Sequence, residues 1–251
     1  PNLSFSHGLA NYLGTTTKSS QTQFGLSNLA VEFAGETGRA RGVVSLSGGV
    51  VFNRTADFNA VLNLSGKMTG NDRSSWAAAI ASQLTEAGVP FSQIESMSYS
   101  GSTLPWRDLL AWDTRLVSGW DDLWEDAYVA TTENIYEDKG FLYSIIGGDL
   151  IQDFNRRTTG GINEIAFNFS LNVRDIFSGG NSLNVNDLRY GVSEYYSERA
   201  VNSADFQTGF TQFSHNYNQT TTGTGIGVKL GVIVVPIQNL RIGATFTTPM
   251  R

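Results

Sequence analysis

Between Gly42 and Leu64 the chain alternates. Val44, Leu46, Gly48, Val50, Phe52, Ala56, Phe58, Ala60, Leu62 and Leu64 share one parity, with Arg54 the sole polar member. The other parity carries Ser45, Ser47, Gly49, Asn53, Thr55, Asp57, Asn59 and Asn63, with Val43, Val51 and Val61 among them. Side chains of a strand point alternately to its two faces, so this pattern predicts one oily and one wet face. Soluble strands run about 5–6 residues, whereas a tilted membrane-spanning strand needs about 9–11. The length therefore predicts a strand in a membrane wall, and the rest of the chain is read around it.

Upstream, Leu3, Phe5, Leu9 and Leu13 outline a first strand over Asn2 to Gly14, followed by a polar link from Thr15 to Gln21. A second strand runs from Phe24 to Gly35, with a change of parity near Ser27 of the kind a bulge produces. Glu36 to Ala40 is a tight hairpin in which Gly38 is free to take a positive φ. Alternation is then absent over residues 65–153. Trp76, Ile80 and Leu84 recur at helical spacing, with Asn71 or Asp72 as cap and Gly88 and Pro90 as stops. A second helix is expected from Pro105, and all five tryptophans, Trp76, Trp106, Trp112, Trp120 and Trp124, fall in this excursion. From Asn163, Ile165, Phe167, Phe169, Leu171 and Val173 alternate with Glu164, Asn168, Ser170, Asn172 and Arg174. Ser178 to Asn181 turns into a strand with Leu183 and Val185, then Leu188, Tyr190 and Val192, which implies another parity shift. After a polar loop from Ala200 to Gln212, Thr224 to Val234 alternates against Gly225, Gly227, Lys229 and Gly231; past Pro236 to Asn239, Leu240 to Phe246 alternates against Arg241.

This makes about seven strands joined by connections that are short and long in turn, an antiparallel up-and-down meander. Outer-membrane barrels have short periplasmic turns and long external loops. The expected fold is all-β: one transmembrane β-barrel domain over residues 1–251, interrupted by a long helix-containing extracellular loop over residues 65–153. Single-chain bacterial barrels have an even strand count, so an odd count leads us to expect a part of a longer barrel, cut from or processed out of a larger chain.

Composition narrows the function classes modestly. The net charge of −6 and the lack of a basic tract argue against nucleic-acid binding. With no cysteine, disulfides and thiolate metal sites are excluded. His7 and His215 each lack a second histidine at metal-ligand spacing. Trp112-Asp113, Asp121-Asp122 and Glu125-Asp126 look like carboxylate pairs but read as exposed loop acids, since sequence spacing does not set their separation in space. The glycines of Gly223 to Val228 lie within a strand and are not a dinucleotide fingerprint. Neither an enzyme, a metal nor a cofactor is expected.

Four segments, YLGTTTKSSQTQFGLSNLAVEF, LPWRDLLAWDTRLV, LRYGVSEYYSE and GTGIGVKLGVIVVPIQNLRIGATFTTPM, together resemble the FadL/OmpP1/TodX family of outer-membrane transport proteins, in the branch common among Bacteroidetes. The resemblance implies a fourteen-stranded barrel holding an N-terminal plug, in the bacterial outer membrane, that passively transports long-chain fatty acids or other hydrophobic compounds. Its partners would be a fatty-acid-like small molecule and membrane lipid or detergent. Trp106, Leu109, Leu110, Trp112, Trp120, Trp124, Phe141 and Leu142 would then be a capture surface, or a small core that holds the external loops together. The family's third strand is kinked to open the wall sideways, which directs attention to Gly48-Gly49 as a lateral opening; an unbroken ladder from the preceding strand across this pair would remove that idea. Glu32, Glu164, Arg174, Lys229 and Arg241 would line the lumen, to hold a ligand carboxylate or to pair with one another. Two other readings compete: a barrel scaffold that serves secretion-associated attachment, and a soluble extracellular β-rich glycan-binding module whose apolar faces pack on each other.

Overall fold

The computed structural model describes all residues except 1, 40, 71–73, 121–126 and 238. Strands β1 (Asn2–Tyr12) and β2 (Thr15–Gly25) form a hairpin, followed by β3 (Asn28–Glu36), β4 (Val43–Asp57) and β5 (Ala60–Met68). The excursion holds α1 (Trp76–Glu86), α2 (Phe91–Ser96) and α3 (Trp106–Asp113), then the short strands β6 (Val117–Gly119), β7 (Tyr128–Ala130), β8 (Glu133–Asp138) and β9 (Phe141–Ile146). Three long strands, β10 (Leu150–Val173), β11 (Phe177–Ala200) and β12 (Gln212–Ile237), precede β13 (Leu240–Thr247). The main sheet is an antiparallel meander in the order β3-β4-β10-β11-β12-β13, and β5 takes over from β4 against the other half of β10. The protein is thus mostly antiparallel β, as the alternation predicts.

Register sorts the side chains into two faces. On the front face, Val31, Val50, Phe167, Leu183 and Val228 lie side by side across five strands, and Leu29, Phe52, Ile165, Val185 and Ile226 form the adjoining row. These apolar residues stand open, Phe33 at 75 % exposure for example, because no element packs on them. The back face of the same segment carries Glu32, Gly49, Asn168, Ser182, Lys229 and Thr247 in one row. Beyond Ile165, Val185 and Ile226 the front face turns polar on three strands at one level, at Asn163, Asp187 and Thr224.

That boundary corrects several expectations. The stretch after Val185 contains no parity shift: β11 pairs without interruption with both neighbours, and Leu188, Tyr190 and Val192 lie on the back face because the apolar side has changed. The link from Thr15 to Gln21 is part of β2; its turn is Leu13-Gly14, both at positive φ, and its polarity had hidden the strand. The stretch from Gly42 to Leu64 is not one strand. Thr55 is extruded where Arg54 and Ala56 pair with consecutive residues of β10, and the chain breaks again at Phe58-Asn59. Ala60, Leu62 and Leu64 therefore pair with Thr158, Arg156 and Phe154 on the back face, where they had been expected beside Phe52 on the front. The break between β2 and β3 falls at Leu26-Ser27, where the parity change was expected. The excursion is tighter than 65–153, since β5 runs to Met68 and β10 begins at Leu150. Its helices stand where the periodicity put them, but Ser75 accepts the α1 cap bond from the Ala77 amide, and Asn71 and Asp72 lie outside the described residues.

The pair Gly48-Gly49 closes the wall. The β3–β4 ladder runs without a register shift past Phe33–Gly48 and Glu32–Gly49, and β10 pairs with both glycines from the other side. A Cβ on Gly49 would stand 2.6 Å from the Val31 carbonyl oxygen, so the missing side chain is what lets β3 come close. Gly35 has open space around it. Chemical unfolding of the purified chain should accordingly show Gly49→Val losing about 1–3 kcal/mol, the usual cost of overpacking, with Gly35→Val near the wild type; equal effects would mean that the close approach is unimportant.

Candidate functional site

The excursion is fastened to the sheet at one buried carboxylate. Glu198, on the back face of β11, is 0 % exposed and accepts four hydrogen bonds: from Ser75 Oγ (2.6 Å), the Trp76 amide (2.6 Å), Tyr196 Oη (2.6 Å) and Gln152 Nε2 (3.0 Å). The first two come from the start of α1, whose unpaired amides and dipole favour an anion. Ser75 also accepts from Thr132 Oγ1, and Gln152 Oε1 accepts from the Tyr12 hydroxyl at the tip of the first hairpin. One charge thus joins β10, β11, α1, the β7–β8 turn and the β1–β2 hairpin. Around it Trp76 stacks on Phe213 at 5.7 Å and lies 5.3 Å from His215 and 6.3 Å from Tyr196.

Beside these rings opens a cavity of about 610 Å³, bounded by Trp76, Leu110, Arg115, Phe210, Phe213 and His215, with no acidic residue in its lining among the described residues. Its outer wall, the connection between β11 and β12, is tied down by Thr208 Oγ1 donating to the Thr131 carbonyl and by Gln207, which bonds both the N–H and the carbonyl of Ile135 in the manner of a strand. Aromatic walls with a guanidinium, an imidazole and hydroxyls at the rim suit an amphipathic molecule with an apolar body.

The expected capture surface divides. Leu109 and Trp112 (8 % exposed) are core, packed with Ile80, Leu84 and Tyr128 beneath α1. Trp120 is buried in a second cluster with Val129, against which Ile135 and Leu142 pack. These four belong to the holding core: Leu109 and Trp112 because the amphipathic α3 turns its apolar side to α1, Trp120 and Leu142 through the separate cluster around Val129. Trp106 and Phe141 stay exposed on separate elements, Trp106 edge-on to Tyr99. Leu110 alone of the set lines the cavity; Trp124 lies outside the described residues. Of the cavity's principal rings, Trp76 is expected from the sequence only as a helix position, and Phe210 and Phe213 carry no local signal that sets them apart.

The charges divide too. Glu164 is buried on the back face, held by Asn184 (2.7 Å) and paired with Lys229 at 3.5 Å. Glu32 and Arg241 are exposed and have no ion-pair partner among the described residues. Arg174 is not on the face at all: β10 ends at Val173, and Arg174 and Asp175, both at positive φ, make the turn.

The wall does part, but higher than the paired glycines. Above the bond from the Arg54 amide to the Ser27 carbonyl (2.7 Å), β2 and β5 face each other without a backbone ladder among the described residues. Asn63 is met there by the side chains of Thr17 and Ser19. Below the seam, between the first hairpin and the end of β4, lies a polar cavity of about 390 Å³, in which Asp57 accepts from Gln23 and Asn59 and is paired with Arg54 at 3.1 Å.

Removing the carboxylate orphans three donors, each costing about 1–3 kcal/mol when buried, and leaves Gln152 Nε2 with the Ser74 carbonyl alone, whereas removing the cap alone costs about 1 kcal/mol. Limited proteolysis should find the excursion of Glu198→Ala cut much faster than that of Ser75→Ala, with the long strands still protected. A second check is optical. The Tyr99 hydroxyl donates to Asp113 Oδ2 at 2.6 Å, and this bond to a carboxylate pushes its pKa up to about 12. Because the folded value lies above the unfolded one, the contribution is intact below pH 10 and is lost as pH rises through about 12. Tyr196 and Tyr12 are also raised, chiefly by burial, so the check is a difference: in ultraviolet titration Asp113→Asn should move one tyrosine from about 12 back towards 10, and leave the other late-ionising tyrosines in place.

Compared with protein-family models, curated proteins and solved structures, the chain matches none.

Proposed function

We propose that the chain belongs to an outer-membrane β-barrel of the FadL/OmpP1/TodX type that carries hydrophobic small molecules, with the cavity beside Trp76 as an external receiving site. The observation that carries this reading is the exposed apolar band on the front face. On β12 it runs from Ile226 to Val234, about 27 Å along the strand at 3.4 Å per residue. A tilt of about 40° reduces that to about 21 Å, near the roughly 25 Å apolar band of outer-membrane barrels. The rival soluble module needs a second layer to cover these rows, and no described element lies on them.

In this reading the excursion faces outward, held by the Glu198 bonds, and a ligand lodges its apolar body among Trp76, Phe210 and Phe213 with its polar end towards Arg115 and His215. The polar cavity between the first hairpin and the end of β4 offers a sideways passage just beyond the band. The scaffold alternative differs in one respect: it requires no ligand in the cavity.

The test is binding of a fluorescent long-chain fatty-acid analogue to the full chain in detergent. Leu110→Asp with His215→Asp, which put negative charge into a cavity whose described lining has none, should weaken saturable binding about tenfold or more, roughly 1.4 kcal/mol. Binding equal to wild type, with the fold intact by circular dichroism, would remove the cavity from the reading.

A further inference from the structure

The front face does not end where its apolar band ends. From Asn163, Asp187 and Thr224 upward, β10, β11 and β12 continue as one ladder for about ten more residues each, and their front positions are almost all hydrogen-bonding. One ring interrupts this wall. Tyr195 lies in register between Asn155 of β10 and Asn216 of β12, all on the front face, and Asn155 in turn pairs with Asn63 of β5. The tyrosine is 43 % exposed, and its hydroxyl has no partner among the described residues. Asn155 donates to Asn63, leaving its own carbonyl oxygen to the surface. In the next row down stand Arg157 and Asn218, both exposed.

We propose that this row is a binding platform for the saccharide chain of a glycolipid anchored in the same membrane. An exposed aromatic ring offers an apolar face to the C–H side of a sugar, while planar amides on both sides supply paired donors and acceptors for its hydroxyls. Arg157 is the one cation in this row and the next on β10, β11 and β12, and gives no cluster of the kind phosphate recognition uses, so the row suits the neutral glycan better than a phosphorylated headgroup. Position fixes the source. Tyr195 lies ten residues above Val185, the last apolar front residue of β11, about 33 Å along the strand and about 25 Å above the band at the same tilt. It faces sideways along the membrane plane, where a lipid-borne polysaccharide stands and an acyl chain does not reach. The inference rests on the membrane reading above.

The experiment uses the full chain in detergent with three probes: lipopolysaccharide bearing a long polysaccharide, the lipid A part alone, and the free polysaccharide. The complete glycolipid should bind, lipid A alone should bind at least tenfold more weakly, and the free polysaccharide should also fall short for want of its anchor. Tyr195→Ala and the double change Asn155→Ala, Asn216→Ala should each lose about tenfold, while Tyr195→Trp should hold. Equal binding of lipid A, or an unaffected Tyr195→Ala, overturns the platform; equal binding of the free polysaccharide overturns the glycolipid source. Phase partition in a clouding detergent is measured on the same sample. A chain that stays in water refutes the membrane reading, whereas one that partitions and ignores the glycolipid refutes the platform alone.

Discussion

The arrangement of the whole molecule depends on satisfying one buried carboxyl group. Glu198 has no access to water, and a buried carboxyl left without partners costs more than any single contact in the fold could offset. The cost is met by four donors that come from different parts of the chain, two of them the hydroxyl and amide that open α1. None of these donors is expendable to its own element: the α1 amide would otherwise be an orphan, and Gln152 is simultaneously held by Tyr12. Satisfying Glu198 therefore fixes the helix, the hairpin tip and two long strands at once, and the aromatic rings beside it gather around that fixed point.

The cavity and the seam follow from it. With α1 pinned to β10 and β11, Trp76 can only lie over Phe213 and His215, and the space left between α3 and the β11–β12 connection is the cavity. With Tyr12 drawn to Gln152, the first hairpin is anchored at its tip. Gly66 accepts Tyr12 and Leu13 at a distance no side chain would permit. The hairpin then approaches β5 at an offset that side chains bridge and backbone does not.

Much of this was legible in the order of residues, and the limit has a physical cause. Alternation announces a strand only where its two faces meet different surroundings. Residues 163–173, 224–234 and 240–246 do, and they lie in strands as expected, but the turn expected at Ser178 to Asn181 falls at residues 174–176, and Ser178 to Asn181 pair within β11. Above the boundary both faces are polar or mixed, so Thr15 to Gln21 passed for a link, residues 213–223 of β12 were not recognised as strand, and the switch after Val185 passed for a register shift. Glu198 and Gln152 gave no local sign, because a buried carboxylate is recognised by its partners, and these lie far off along the chain. Leu109 and Trp112 were legible as an apolar pair but not as a covered one, since the helix that covers them is one whose docking is decided by Glu198.

The change of surroundings along β10, β11 and β12 leaves no trace in the backbone: pairing continues across it unaltered. The extent of the apolar band is thus specified by side chains on one face alone, and topology is indifferent to it. Exchanging Asn163, Asp187 and Thr224 for valines would lengthen the band by one row without moving a single strand. On the proposed membrane reading, such a sheet would be refitted to a thicker or thinner bilayer through a handful of surface changes, with the pairing of its strands unaltered.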